Sequence, residues 1–288
     1  MNRNPLTDIS SVKSLMAKYD FTFSKALGQN FLINAAVPEK IAEAAGIDEN
    51  TCVIEIGPGF GTLTYELCRR AKKVIAIEID KRLIPVLNDT MSSFDNLKII
   101  NEDVLKLDLK KLIEDEFQNA RTVVCANLPY YITTPIIMEL LEKRLPIESI
   151  TVMIQKEVAR RFDALPGSAD YGAVTLSVNY FSTTKIHFDV SPGSFMPAPK
   201  VTSSVISFYT RELPPVMPKN EYFMFGIIKA AFNQRRKTLC NALCNRLSPK
   251  IEKTAILKAL QDMNLSETVR GEALSLNQFA ELSDILCK

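Results

Sequence analysis

Between Cys52 and Ile154 short apolar, β-branched runs alternate with stretches of helical periodicity, and that alternation admits few folds. Strands are expected at 52–56, 74–79, 97–100, 122–126 and 150–154, with helices between them at 62–70, 81–92, 109–117 and 134–143. Strands that return through helices form a parallel sheet by right-handed crossovers, covered by helices on both faces. Such a sheet takes its ligands at the carboxyl ends of its strands. Gly57, Glu78, the stretch Asn101 to Asp103, and Asn127 each fall at or within a few residues of a strand end. The pattern that sets the fold therefore also marks one edge of the sheet as a site.

Two further strands are expected at 174–180 and 203–209, before the proline-rich stretch ELPPVMPKN, 212–220. From Glu221 onward the periodicity is helical, with breaks near Ser248-Pro249, Asn264 and Gly271. The expected division is a larger α/β domain over 1–212 and a small helical domain over 213–288. A chain of 288 residues with 47% hydrophobic content can bury cores for both. The net charge of +2 does not by itself call for a polyanionic partner. Six scattered cysteines fit small core residues in a reducing cytoplasm better than a disulfide framework. Cys240 and Cys244 stand four apart, but the single histidine, His187, is far from them in sequence, so no metal is expected. No apolar run reaches the length of a membrane span and the N-terminus lacks a signal-peptide core, so a soluble cytoplasmic protein is expected.

The chemistry concentrates in two segments. EIGPGFG, 55–61, is a glycine turn of spacing G-x-G-x-G, and Glu78 follows Gly57 by 21 residues at the next strand end. Glycines let backbone approach a ligand, and a carboxylate there accepts both hydroxyls of a ribose. The spacing departs from the dinucleotide pattern G-x-G-x-x-G, which tilts the ligand toward S-adenosylmethionine. Asp103 stands where it can accept from an adenine amine, or where it simply caps a helix. KALGQNFL, 25–32, is either a lid over the cofactor or a capping loop. NLPY, Asn127 to Tyr130, puts an amide acceptor, a rigid turn and an aromatic face at the end of the fourth strand. These groups suit a base that carries an exocyclic amine: the Asn127 side-chain oxygen and the Leu128 or Pro129 carbonyl accept its hydrogens, and Tyr130 stacks on its ring. Methyl transfer to that amine needs positioning rather than a strong base.

Seven segments in order, KALGQNFL, EIGPGFGTLT, IEID, NED, NLPYYITTPI, FMPAPKVTSSV and FNQRRKTL, closely resemble the ribosomal RNA adenine N6-dimethyltransferase family. The NLPY form and FNQRRKTL resemble its small-subunit (16S-type) branch, where the macrolide-resistance 23S relatives usually show NIPY. The resemblance implies a Rossmann-like class I S-adenosylmethionine-dependent methyltransferase domain of α/β class with a smaller all-helical C-terminal domain. It implies that Asn30, Leu32, Gly57, Glu78, Asp103 and Asn127 contact S-adenosylmethionine. Asn127, Leu128 and Pro129 would orient the target amine, with Tyr130 on one face of the adenine and Phe195 on the other. The implied substrate is a pair of adjacent adenosines in a hairpin loop near the 3′ end of small-subunit rRNA, each methylated twice. The implied partner is the immature small subunit, met by a monomer.

RNA contact has its own sequence signal. The run 229–246 holds Lys229, Arg235, Arg236, Lys237 and Arg246 with no acid, and Arg160 with Arg161 follows the fifth strand. Such clusters neutralise phosphates, although a solvated helix face has the same composition. A target adenine must leave its stack, which costs least in a loop or a single strand. Three rival functions share parts of the pattern. A nicotinamide oxidoreductase leaves NLPY without a purpose; a DNA adenine methyltransferase is separated by its substrate; and a docking factor for subunit assembly is separated by Glu78→Ala, which spares RNA docking.

Overall fold

The structure is a computed structural model that describes residues 4–24, 27–248 and 250–287. Lys25 and Ala26, which open KALGQNFL, and Pro249, at an expected helix break, lie outside the described residues. Nine strands occur among the described residues: β1 (Phe31–Leu32), β2 (Cys52–Ile56), β3 (Lys73–Glu78), β4 (Leu97–Asn101), β5 (Thr122–Asn127), β6 (Ser149–Gln155), β7 (Ser182–Val190), β8 (Phe195–Met196) and β9 (Ser203–Thr210). β1 and β8 form a two-stranded antiparallel ribbon, and the other seven form one sheet in the order β4-β3-β2-β5-β6-β9-β7. Strands β2 to β6 run parallel, with Val53 beside Val74 on β3 and beside Val123 on β5. β9 runs antiparallel to β6, so the sheet is mixed rather than wholly parallel.

From β2 the chain winds outward through β3 to β4, then returns to the other side of β2 and winds through β5 to β6. Strand order therefore reverses between β2 and β5, and a crevice opens there at their carboxyl ends. Apolar side chains hold both strands: Val53, Ile54, Val123, Val124 and Cys125 are inaccessible to solvent, as in strands covered on both faces. Glu55 is an acid within this run.

The chain divides into two compact units, 1–159 with 184–210, and 160–183 with 211–288. The sequence places a single boundary at 212; in the structure the segment 160–183 belongs with the helical unit. The reason lies in its apolar side chains, since Ala164, Tyr171, Leu176 and Tyr180 share one core with Met224, Ile227 and Phe279. Tyr171 donates its hydroxyl to the Leu274 carbonyl at 2.9 Å, which fixes the segment to the same unit. The strand expected at 174–180 is instead the helix Ala173–Phe181. Its alternating Val174, Leu176, Val178 and Tyr180 reads as a half-buried strand, but helix–helix burial overrides a period seen over so few residues.

Candidate active site

NLPY is built by closing a turn onto the end of β5. The Leu128 amide donates to the Met153 carbonyl of β6 at 3.2 Å, prolonging the ladder by one residue, and the Leu128 side chain is buried. The Pro129 carbonyl accepts twice, from the Ile132 amide at 3.3 Å and from the Thr133 hydroxyl at 3.1 Å. Of the two carbonyls the sequence leaves open for an amine, Pro129's is thus occupied in holding the turn. The Asn127 Nδ2 donates to the Asn30 carbonyl at 3.2 Å, which assigns its Oδ1 as the acceptor left for a ligand. The half-buried Tyr130 bonds through its hydroxyl to Ser203 Oγ at 2.7 Å.

Opposite NLPY, across the strand-order reversal, stands the glycine turn. Gly57 has φ +69°, and a Cβ there would meet no atom within 4 Å, leaving its backbone open to the cleft. Gly59, at φ +64°, is excluded from bearing a side chain because a Cβ would sit 2.7 Å from the Phe31 ring. Glu78 is 4% exposed; its Oε2 accepts from the Gly59 amide at 3.2 Å and its Oε1 from the Asp80 amide at 2.8 Å. Each oxygen retains a lone pair for a further donor such as a hydroxyl. Burial pushes the Glu78 carboxyl up to about 7, against the opposing pull of those amides. Glu55, 1% exposed, is pushed up to about 8 by burial, with Glu78 adding to the rise and Thr64 opposing it. Its Oε2 has no hydrogen-bond partner. Asp103 caps the single helical turn Val104–Lys106 through Oδ1, accepting from the Leu105 amide at 3.1 Å. The capping reading of Asp103 thus holds, and its other carboxylate oxygen is not the capping atom.

All six residues expected to contact a cofactor line one cleft, together with Leu128, Pro129 and Tyr130. The cleft runs from the glycine turn to the NLPY turn and opens to solvent. Phe195 is not brought into it. Pairing of β8 with β1 sets Phe195 beside Leu32, and its ring, 3% exposed, is packed in an apolar cluster with Leu32, Val37 and Ile41. The expected second stacking face is therefore not presented in this structure. Arg160, Arg161, Arg235, Arg236 and Lys237 are all exposed and all belong to the helical unit. Arg235 is committed there, donating to the Ala169 carbonyl at 3.1 Å and pairing with Glu272 at 3.1 Å. Sequence reasoning missed Glu55, which a lone acid in an apolar strand signals, and Ser203, which nothing local in the sequence distinguishes from Ser204.

Residues 20–283 match the family model described as ribosomal RNA adenine dimethylase. The chain is 49% identical over 290 residues to ribosomal RNA small subunit methyltransferase A of Bacillus pumilus (strain SAFR-032), covering 100% of this chain and 99% of that one. Among solved structures it is similar to a dimethyladenosine transferase from Plasmodium falciparum, with TM-score 0.72 and 30% identity over 88% of this chain and 95% of that one. It is also similar to the 23S rRNA methyltransferase ErmE, with TM-score 0.66 and 25% identity over 90% of this chain and 100% of that one.

Proposed function

The chain belongs to the ribosomal RNA adenine dimethylase family, and from that premise we propose that it dimethylates N6 of two adjacent adenosines in a hairpin loop near the 3′ end of small-subunit rRNA. The donor is S-adenosylmethionine, which when bound supplies an electrophilic methyl on a sulfonium. The residues present fit it: Gly57 offers bare backbone, Glu78 has acceptor capacity for ribose hydroxyls, and Asp103 keeps an oxygen for an adenine amine. Asn30 and Leu32 close the same cleft from the segment before β2.

The observation that carries the reading is the Asn127 amide. With Nδ2 held by the Asn30 carbonyl, Oδ1 accepts one hydrogen of the target amine, and the Leu128 carbonyl accepts the other. Pro129 contributes through the turn that its carbonyl closes rather than as an acceptor. As N6 attacks, its lone pair leaves conjugation with the ring and positive charge develops on nitrogen, so both acceptors bind the transition state more strongly than the ground state. Tyr130 stacks on the base, while Phe195 backs the site from the core. Adding a second methyl requires that one acceptor release its N–H, so the two methylations place different demands on the Asn127 oxygen.

The basic residues Arg160, Arg161, Arg236 and Lys237 supply phosphate contacts for an immature small subunit, met by a monomer in the cytoplasm. No described helix is long and apolar enough to cross a membrane. The test is mass spectrometry of nucleosides from unmethylated small subunits incubated with the protein and S-adenosylmethionine. N6,N6-dimethyladenosine is expected with wild type and not with Asn127→Ala; product on large-subunit rRNA or DNA alone would overturn the substrate assignment.

A further inference from the structure

We propose that Ser203 is a positioning residue for methyl transfer: its hydroxyl tethers the tip of the Tyr130 ring, so that an incoming base meets an aromatic face already fixed in place. The proposal rests on the reading of Tyr130 as the stacking platform. The two oxygens lie 2.7 Å apart across 73 residues of sequence. Ser203 is the first residue of β9, is inaccessible to solvent, and sits in register with Gln155, the last residue of β6. Its backbone is therefore held by the central sheet. Tyr130 instead stands in a turn, lines the cleft and is only half-buried.

Alternation along a strand explains why Ser203 alone serves. Adjacent side chains point to opposite faces, and Ser204 turns away to bond Asp189 Oδ1 at 2.6 Å. Tyr130 is thus fixed at both ends, by the closed turn at its backbone and by Ser203 at its hydroxyl. Burial raises the phenol's pKa, so the hydroxyl keeps its proton and the pair remains a neutral hydrogen bond. A ring held at one end only samples other rotamers, and a base then stacks in poses where N6 misses the acceptors.

The experiment compares wild type with Ser203→Ala, Tyr130→Phe, the double variant Ser203→Ala/Tyr130→Phe, Tyr130→Ala and the control Ser204→Ala. It measures single-turnover methylation of unmethylated small subunits, equilibrium affinity for S-adenosylmethionine, and thermal unfolding. Ser203→Ala and Tyr130→Phe are each expected to slow methylation about three- to tenfold, the range that loss of one hydrogen bond produces. The double variant is expected to be no slower than the slower single variant, with cofactor affinity unchanged throughout and Ser204→Ala at the wild-type rate. Tyr130→Phe removes the same bond without touching β9, so a folding defect in the serine variant does not remove the test. Ser203→Ala at the wild-type rate, or losses that multiply in the double variant, would overturn the proposal. If Tyr130→Ala also keeps the wild-type rate, the stacking reading itself fails; if Tyr130→Ala is slow while Ser203→Ala is not, only the tether fails.

Discussion

Glu78 carries opposed demands, because the burial that makes it a strong acceptor also raises its pKa to about 7. In the proposed site ribose hydroxyls donate to Glu78, so they need the ionised carboxylate. As pH falls through 7 the acceptor is protonated, and affinity for S-adenosylmethionine falls with it. Between pH 8 and pH 6 the dissociation constant is expected to rise about tenfold, and Glu78→Gln should bind weakly with little pH dependence. Titration calorimetry at the two pH values checks this; a flat wild-type profile sinks it. Glu55 gives a stability prediction with a definite sign. Its folded pKa of about 8 lies above the ordinary value of 4.5, so its contribution to stability is fully present below pH 4.5 and is lost as pH rises through 8. Glu55→Gln removes the buried charge. It is expected to stabilise the protein without cofactor by on the order of a few kcal/mol at pH 9, and to have little effect near pH 4. Denaturant unfolding at both pH values decides it, and equal shifts at the two would be the contrary result.

At the scale of elements, the glycine turn between β2 and the helix Thr62–Cys68 has little room for change. Gly59→Ala meets two penalties together: a left-handed backbone at φ +64° and a Cβ 2.7 Å from the Phe31 ring. Phe31 stacks on Phe60 with centroids 4.2 Å apart, so it cannot yield without disturbing that pair. A loss of about 1–3 kcal/mol is expected, along with weaker cofactor binding, since the same turn sets the amide that Glu78 accepts. Unfolding curves that overlay those of wild type would refute this. The same contrast explains what can be read without the structure. β2, β5 and β6 are apolar runs buried on both faces, and the signal of such strands is local. β7, Ser182–Val190, escapes a local reading because it is the last strand in the sheet order and mixes Lys185, His187 and Asp189 among its apolar residues. The placement of NLPY at the end of β5 is legible because its residues are adjacent in sequence. The commitment of the Pro129 carbonyl to Thr133, the burial of Phe195 and the bond from Ser203 to Tyr130 depend on how distant strands and turns meet, which no short window contains.

For the whole molecule the question is how a chain with net charge +2 engages a polyanion. On the proposed reading local placement of charge answers it: Arg236 and Lys237 are exposed in the turn between the helices Glu221–Asn233 and Leu239–Arg246. Their neighbour Arg235 serves the fold instead, tying that turn to the Ala169 carbonyl and to Glu272 within the helical unit. The three basic residues of FNQRRKTL therefore separate by experiment. Arg236→Ala/Lys237→Ala removes the two proposed phosphate partners, so the slope of log affinity against log salt for small-subunit RNA should become shallower by about 2, with melting temperature and cofactor affinity unchanged. Arg235→Ala removes an ion pair between partly exposed groups, worth about 1 kcal/mol or less, together with a bond to a backbone carbonyl. It should lower the melting temperature slightly and leave the salt slope closer to wild type. Filter binding across a salt series, with calorimetric melting of each variant, resolves the two roles. If Arg235→Ala shifts the slope as much as the double variant does, the ion pair with Glu272 opens on RNA and all three side chains face phosphate. If neither variant shifts it, phosphate recognition lies elsewhere, with Arg160 and Arg161 the next pair to replace.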